Sequence, residues 1–166
     1  MIYDAVRRAL FRLDPERAHA LTLGALRAAG ALPLARIALG RALRFEDPRL
    51  EVEAFGLRFR NPLGLAAGYD KNGIAVRGLA ALGFGHLEIG TLTRGPQPGN
   101  PRPRLWRAPE ARAVINRLGF PNDGVDAFMA RGWPDPGLPI GINIGKSKDT
   151  PLAEAAADYV ALLRRV

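Results

Sequence analysis

Three apolar segments of strand length, each followed by glycine and polar residues, restrict the folds open to this chain of 166 residues. They span residues 63–68, 86–91 and 139–144. Helical patterns are found after them, at 74–82, near 123–131, and from about 152 to 166. Strands that alternate with helices predict a parallel sheet covered by helices, which is an α/β fold.

The first 45 residues have a different pattern. Two amphipathic helices are predicted, at 2–13 and from residue 15 to about 29. Asp14-Pro15-Glu16 is typical of a helix start, because Asp caps the first amides and Pro fits the first turn. We therefore divide the chain into an N-terminal helical unit (residues 1–45) and an α/β unit (46–166). The helical unit is either a cap on the α/β unit or an interfacial element whose arginines contact anionic lipid headgroups.

Composition removes several classes of function. The chain has no cysteine, which excludes disulfides, thiolate metal sites and cysteine nucleophiles, and no metal site is predicted. Its net charge of +8 raises the question of nucleic acid, but no basic stripe interleaved with aromatic residues supports it, so no nucleic-acid partner is predicted. The sequence contains no run of about 18 apolar residues, so no transmembrane helix is predicted.

Polar residues follow the predicted strands in a way that predicts a ligand site. The three strand ends read Ala67-Gly68-Tyr69-Asp70-Lys71, Glu88-Ile89-Gly90-Thr91 and Asn143-Ile144-Gly145-Lys146. Ligands of parallel α/β folds bind at the carboxyl ends of strands, where glycine lets the backbone approach them. The chain has only three lysines: Lys71 and Lys146 lie in these segments, and Lys148 follows two residues after the third.

A fourth segment, residues 113–124, places Asn116, Arg117 and Phe120 in a predicted loop. An amide, a guanidinium and an aromatic ring together can bind a small planar anion. The alternative interpretation is an ordinary turn before the next helix, with Asn122 or Asp123 as its N-cap.

Longer motifs identify a family. They are LDPERAH (13–19), NPLGLAAGYDKNG (61–73), GFGHLEIGTLT (83–93), PQPGNPRPRLWR (96–107), INRLGF (115–120) and GINIGKSKDT (141–150). In this order they resemble the N-terminal part of a class 2 dihydroorotate dehydrogenase, the quinone-linked, membrane-associated type. The resemblance implies a (β/α)₈ TIM barrel preceded by a small two-helix domain, with about three βα units of the barrel in this chain.

The resemblance also implies an activity: FMN-dependent oxidation of dihydroorotate to orotate in de novo pyrimidine synthesis, with a membrane quinone as electron acceptor. It implies a peripheral protein at the cytoplasmic face of the cell membrane, attached through residues 1–45. The implied FMN contacts are Ala67, Gly68, Tyr69, Asp70, Lys71, Thr91 and Asn143. The implied substrate contacts are Lys71, Asn116, Arg117, Leu118, Gly119 and Phe120. The implied quinone contacts are His19 and Arg107.

No residue here matches the family's catalytic base, a serine in class 2, which is expected beyond Val166. We therefore expect this chain to be the first part of a longer protein, inactive by itself and binding FMN weakly or not at all. Asp70 can instead be structural, because adjacent residues of an extended segment point to opposite sides. Two alternatives stay open: a soluble class 1 flavin barrel, and a non-catalytic lipid-binding or interaction module.

Overall fold

The structure, a computed structural model, describes residues 2–132 and 135–166. Its helices are α1 (Ile2–Phe11), α2 (Pro15–Ala31), α3 (Pro33–Leu43), α4 (Val76–Ala80), α5 (Val125–Ala130) and α6 (Ala155–Leu163). Its strands are β1 (Val52–Ala54), β2 (Leu57–Phe59), β3 (Gly64–Leu65), β4 (His86–Leu92), β5 (Leu105–Ala108), β6 (Ala113–Asn116) and β7 (Ile140–Ile144). Short 3₁₀ helices lie at Pro48–Leu50 and Leu152–Glu154. The α/β fold is confirmed.

A parallel three-stranded sheet in the order β3-β4-β7 forms the centre of the fold. The central strand β4 buries Leu87, Ile89 and Leu92 completely. Leu79 of α4 and Phe128 of α5 belong to the same apolar core. Because the strands run parallel, the segments that follow β3, β4 and β7 all leave the sheet at one edge.

The N-terminal unit contains three helices, so the prediction of two is wrong. Asp14 caps α2 as predicted: its Oδ1 accepts the amides of Glu16 (3.0 Å) and Arg17 (3.1 Å). Pro33 begins the additional helix α3, since proline fits the first position of a helix. In the described part of the chain no single helix is long and apolar enough to span a membrane; α2 and α3, bent by 111°, meet those criteria only as a pair.

Helix α2 packs directly on α4 through glycine. A Cβ atom on Gly78 would lie 2.0 Å from the backbone oxygen of Leu26, and one on Gly30 would lie 2.6 Å from the backbone nitrogen of Gly78. Leu23 of α2 joins the core of the α/β unit. These contacts agree with the interpretation of the helical unit as a cap.

Two β-hairpins form separate two-stranded sheets. In the first hairpin β1 pairs with β2, and Phe55 and Gly56 both have positive φ (54° and 71°), as a type I′ turn requires. The second hairpin, β5 with β6, lies in the segment 92–121, for which no strands were predicted. All residues of β6 are exposed, so the segment lacks the alternating burial that would reveal a strand.

Candidate active site

A cavity of about 350 Å³ opens at the edge of the sheet where the parallel strands end. It brings together most of the predicted cofactor and substrate residues: Ala67, Gly68, Lys71, Thr91, Asn116, Arg117, Leu118, Gly119 and Phe120. Asn100 and Pro121 complete its lining. The lining residues include lysine and arginine but no aspartate or glutamate, so the cavity suits an anionic ligand.

Lys71 lies in the loop that follows β3. Its Nζ donates a hydrogen bond to the backbone oxygen of Gly68 at 2.6 Å. Burial lowers the pKa of Lys71, and the nearby carboxylate of Glu16 opposes this lowering. An anion bound in the cavity would replace part of the hydration that the ammonium has lost, so Lys71 favours anion binding.

Gly68 provides room for a flat ligand close to the backbone. Its φ of 106° is unfavourable for any residue with a side chain, and a Cβ built there would meet nothing within 4 Å. Its amide donates to the backbone oxygen of Gly90 (2.8 Å), which fixes the loop to β4. The open backbone at Gly68 therefore leaves space for a flat ligand.

Asp70 has a structural role. Its side chain is fully buried, and its two carboxylate oxygens accept the amides of Ile74 (2.9 Å) and Ala75 (2.8 Å). These bonds hold the turn that leads into α4. The Asp70 carboxylate does not line the cavity. The predicted cofactor contact of Asp70 therefore does not involve its side chain.

Tyr69 faces the N-terminal helices. Its hydroxyl donates to Thr22 Oγ1 (2.9 Å), and Nε2 of His19 donates to its backbone oxygen (2.6 Å). The rings of His19 and Tyr69 also meet edge to face, with centroids 5.1 Å apart. The side chain of Tyr69 therefore fastens α2 to the loop after β3, and it is not among the residues that line the cavity.

A polar chain joins the ends of all three parallel strands. Thr91 Oγ1 donates to Asn143 Oδ1 (2.6 Å), and Asn143 Nδ2 donates to Glu88 Oε1 (2.9 Å). The other oxygen of Glu88 accepts the amide of Ala67 at 3.4 Å. Of these side chains only Thr91 lines the cavity, and Asn143 reaches it through Thr91.

The predicted quinone residues lie at the junction between the helical unit and the strands. Arg107 of β5 donates from Nη1 to the backbone oxygen of Leu13 (2.8 Å), and its guanidinium lies 4.7 Å from the ring centroid of Phe11. His19 contacts Tyr69, as described above. Neither side chain lines the cavity, and His19 is joined to the predicted cofactor residues through Tyr69.

Asn100 lines the cavity and was not predicted, while Asn122 was considered only as a helix N-cap. Asn100 donates from Nδ2 to the backbone oxygen of Arg117 (2.7 Å). The Asn122 Oδ1 accepts amides of Thr93 (3.2 Å) and Gly124 (2.9 Å), while Gly124 itself is the N-cap of α5. Neither Asn122 nor Asp123 is therefore the N-cap, and Asn122 instead links the end of β4 to the loop before α5.

The loop after β7 depends on the buried carboxylate of Asp158. This carboxylate accepts hydrogen bonds from the Thr150 hydroxyl (2.7 Å) and the Ser147 backbone amide (3.0 Å). Both bonds hold the pKa of Asp158 below its usual range, and the bond from Thr150 has the larger effect. A carboxyl with a lowered pKa stabilises the fold above its unfolded pKa of about 4, and this contribution is lost as the pH falls through the lower folded value.

We expect Asp158→Asn to reduce the loss of stability on acidification. The wild-type chain should lose more unfolding free energy between pH 6 and pH 3 than the variant does, because an amide does not titrate there. Urea unfolding at several pH values measures the difference. If the unfolding free energy of both proteins depends equally on pH, titration of Asp158 does not contribute to the acid sensitivity of the fold.

A parallel sheet with a basic, glycine-lined cavity at its carboxyl edge defines an α/β protein whose cavity suits an anionic ligand. Residues 49–166 match the model of a family described as dihydroorotate dehydrogenase. The chain therefore belongs to the dihydroorotate dehydrogenase family, as the motifs indicated.

Individual relatives give the same result. The chain is 54% identical to dihydroorotate dehydrogenase (quinone) of Acidithiobacillus ferrooxidans, over 98% of this chain and 46% of the relative. It is 50% identical to the protein of the same name from Halobacterium salinarum, over 99% of this chain and 48% of the relative. The chain thus spans about half the length of the curated relatives it matches.

Solved structures agree with the fold. Ligand-free DHODH of Eimeria tenella matches with a TM-score of 0.75 and 39% identity, over 92% of this chain and 42% of that one. The complex of the same enzyme with ferulenol matches with a TM-score of 0.73 and 36% identity, over 92% and 41% of the two chains.

Proposed function

We propose that this chain is the N-terminal part of a quinone-linked dihydroorotate dehydrogenase, which oxidises dihydroorotate to orotate with FMN in pyrimidine biosynthesis. The cavity carries the proposal, because Lys71, the Ala67-Gly68 backbone and the loop 116–120 line one space. The names of the relatives support it. We also propose that the sheet β3-β4-β7 is the first part of a (β/α)₈ barrel, whose strands follow each other in this way.

The residues of the chain fit an FMN ring and a small carboxylate substrate. FMN, when bound, supplies the hydride acceptor. The backbone of Ala67-Gly68 and the hydroxyl of Thr91 would hold the flavin, and Asn143 orients that hydroxyl through its 2.6 Å hydrogen bond. The ammonium of Lys71 neutralises negative charge on the substrate and on the reduced cofactor.

The loop 116–120 and Asn100 would orient the substrate. The side chains of Asn116 and Asn100 offer amide donors and acceptors for the polar edge of a pyrimidine, and Arg117 adds positive charge. No described residue of this chain is assigned as the base that removes the proton. We propose that the base lies in the part of the protein outside this chain.

A chimera tests the proposal. In the chimera, this chain replaces the matching N-terminal part of the Acidithiobacillus ferrooxidans relative. We expect the chimera to retain FMN, visible in its absorption spectrum, and to reduce a soluble ubiquinone analogue in the presence of dihydroorotate. The chain alone should retain little or no FMN. A folded chimera that retains FMN but does not oxidise dihydroorotate would contradict the proposed function.

We propose, further, that the helical unit attaches the protein to the cytoplasmic face of the membrane and receives the quinone near His19 and Arg107. Exposed apolar side chains on α2 and α3, including Leu21, Leu34 and Ile37, support this proposal. Sedimentation with anionic vesicles tests it. Absence of binding would favour a soluble flavin enzyme of class 1 type, whereas vesicle binding by a chimera without dehydrogenase activity would favour a lipid-binding module.

A further inference from the structure

A buried arginine connects helix α2 with a loop beside the cavity. Arg104 is only 7% exposed. Its Nε and Nη2 donate to one oxygen of Glu16 (3.1 and 2.8 Å), in the first turn of α2. Its Nη1 donates to the backbone oxygens of Pro98 (2.6 Å) and Asn100 (3.0 Å). One planar guanidinium thus fixes residues 98–100 to the N-terminal helices.

The same residues continue into the lining of the cavity. The backbone N–H of Asn100 donates to the backbone oxygen of Leu118 (2.9 Å), and its side-chain Nδ2 donates to the backbone oxygen of Arg117 (2.7 Å). The amide of Arg117 donates to the backbone oxygen of Arg104 (2.9 Å). Asn100, Arg117 and Leu118 line the cavity, while Glu16 and Arg104 do not. Arg104 can therefore influence a ligand only through other residues.

Electrostatics links the pair to Lys71 as well. Burial lowers the pKa of Lys71; Glu16 counteracts that effect, and Arg104 adds to it. Hydrogen bonds from Arg104, and more weakly from Arg102, outweigh the effect of burial and hold the pKa of Glu16 below its usual range. Glu16 is thus ionised at neutral pH and bound to Arg104, and its negative charge favours the protonated form of Lys71.

We propose that Arg104 is a positioning residue for substrate binding: with Glu16 it makes the shape of the 98–100 and 116–120 loops depend on the placement of helix α2. This inference rests on the proposed function, because it assigns dihydroorotate to the cavity. Its consequence is that a displacement of the N-terminal helices changes the affinity for dihydroorotate, although those helices do not line the cavity.

Arg102 provides a matched control. It also pairs with Glu16, through Nε at 2.8 Å from Oε2, but it is exposed, and its side chain has no hydrogen bond to residues 98–100 in the described part of the chain. In the chimera, Arg104→Gln should raise KM for dihydroorotate about tenfold, because charged hydrogen bonds to the loop are lost. In Arg104→Gln, kcat and the KM for the quinone should change less than about twofold. In Arg102→Gln, kcat and both KM values should change less than about twofold.

Two further variants separate charge from geometry. Glu16→Gln should raise KM for dihydroorotate in the same direction as Arg104→Gln but by less, because the loop contacts of Arg104 survive. Arg104→Lys should have an intermediate effect, since lysine keeps the charge but cannot span Glu16 and both backbone oxygens. An equal KM for Arg104→Gln and Arg102→Gln would overturn the proposal. So would a loss of thermal stability with no change in KM.

Hydrogen–deuterium exchange tests the positioning without any activity. The backbone amides of Asn100 and Arg117 should exchange about tenfold faster in Arg104→Gln than in the parent chimera. In Arg102→Gln their exchange rates should equal those of the parent. If exchange in the peptides that cover 98–104 and 114–121 is the same in both variants, Arg104 does not position the loops. A folded parent chimera that retains FMN but is inactive would refute the proposed function, while the exchange result would still decide the role of Arg104.

Discussion

Replacing Lys71 by methionine in the chimera should lower kcat/KM for dihydroorotate by about a hundredfold or more, the size expected when a preorganised charge-stabilising group is removed. Methionine keeps the length of the side chain and removes its positive charge. Lys71 lies at the cavity with its Nζ 2.6 Å from the Gly68 oxygen. The loss should appear in kcat as well as in KM, since the negative charge grows during the reaction.

Lys148→Met is the matched control for this experiment. Lys148 is exposed and lies outside the lining of the cavity, so its replacement should change kcat/KM by less than about twofold. The absorption spectrum of bound FMN shows whether either variant has lost its cofactor. Lys71→Met with full FMN content and unchanged kcat/KM would remove Lys71 from the proposed mechanism.

The sheet and most of the cavity could be predicted because their signals are local in the sequence. A glycine and a polar residue directly after an apolar strand indicate the strand end, and parallel strands bring these ends together. Lys71 and Thr91 were found in this way. The loop 116–120 was found because its amide, guanidinium and aromatic side chains are close neighbours in the sequence.

Contacts between distant segments left no such signal. Asn100 and Arg104 lie in a proline-rich segment, and what matters about them is which backbone oxygens they contact. A contact over 88 residues, from Arg104 to Glu16, is a property of the folded chain. The third helix, α3, buries none of its residues, so its apolar pattern does not mark a face that packs on the core.

The two interpretations of the helical unit apply to different sides of it. Helix α2 contacts the α/β unit through Gly30, through His19 at Tyr69, and through Glu16 at Arg104. These contacts account for a cap. Leu34 of α3 is 82% exposed, and packing within the chain gives no reason for this exposure. Membrane attachment through such residues is the proposal that vesicle binding tests, and it requires no change in the contacts of α2.

The attachment of α2 to α4 should depend strongly on one glycine. Gly78→Ala places a methyl group 2.0 Å from the backbone oxygen of Leu26, and backbone atoms cannot rotate away as a flexible side chain would. We expect the thermal midpoint of the chimera to fall by about 5 °C, since overpacking of this kind costs about 1–3 kcal/mol. Circular dichroism during heating measures the change.

Gly24→Ala is the contrasting substitution within α2. A Cβ atom at Gly24 meets nothing within 4 Å, so alanine should only remove the conformational cost of glycine and raise the thermal midpoint by about 1–2 °C. If Gly78→Ala proves as harmless as Gly24→Ala, α2 and α4 are not in backbone contact.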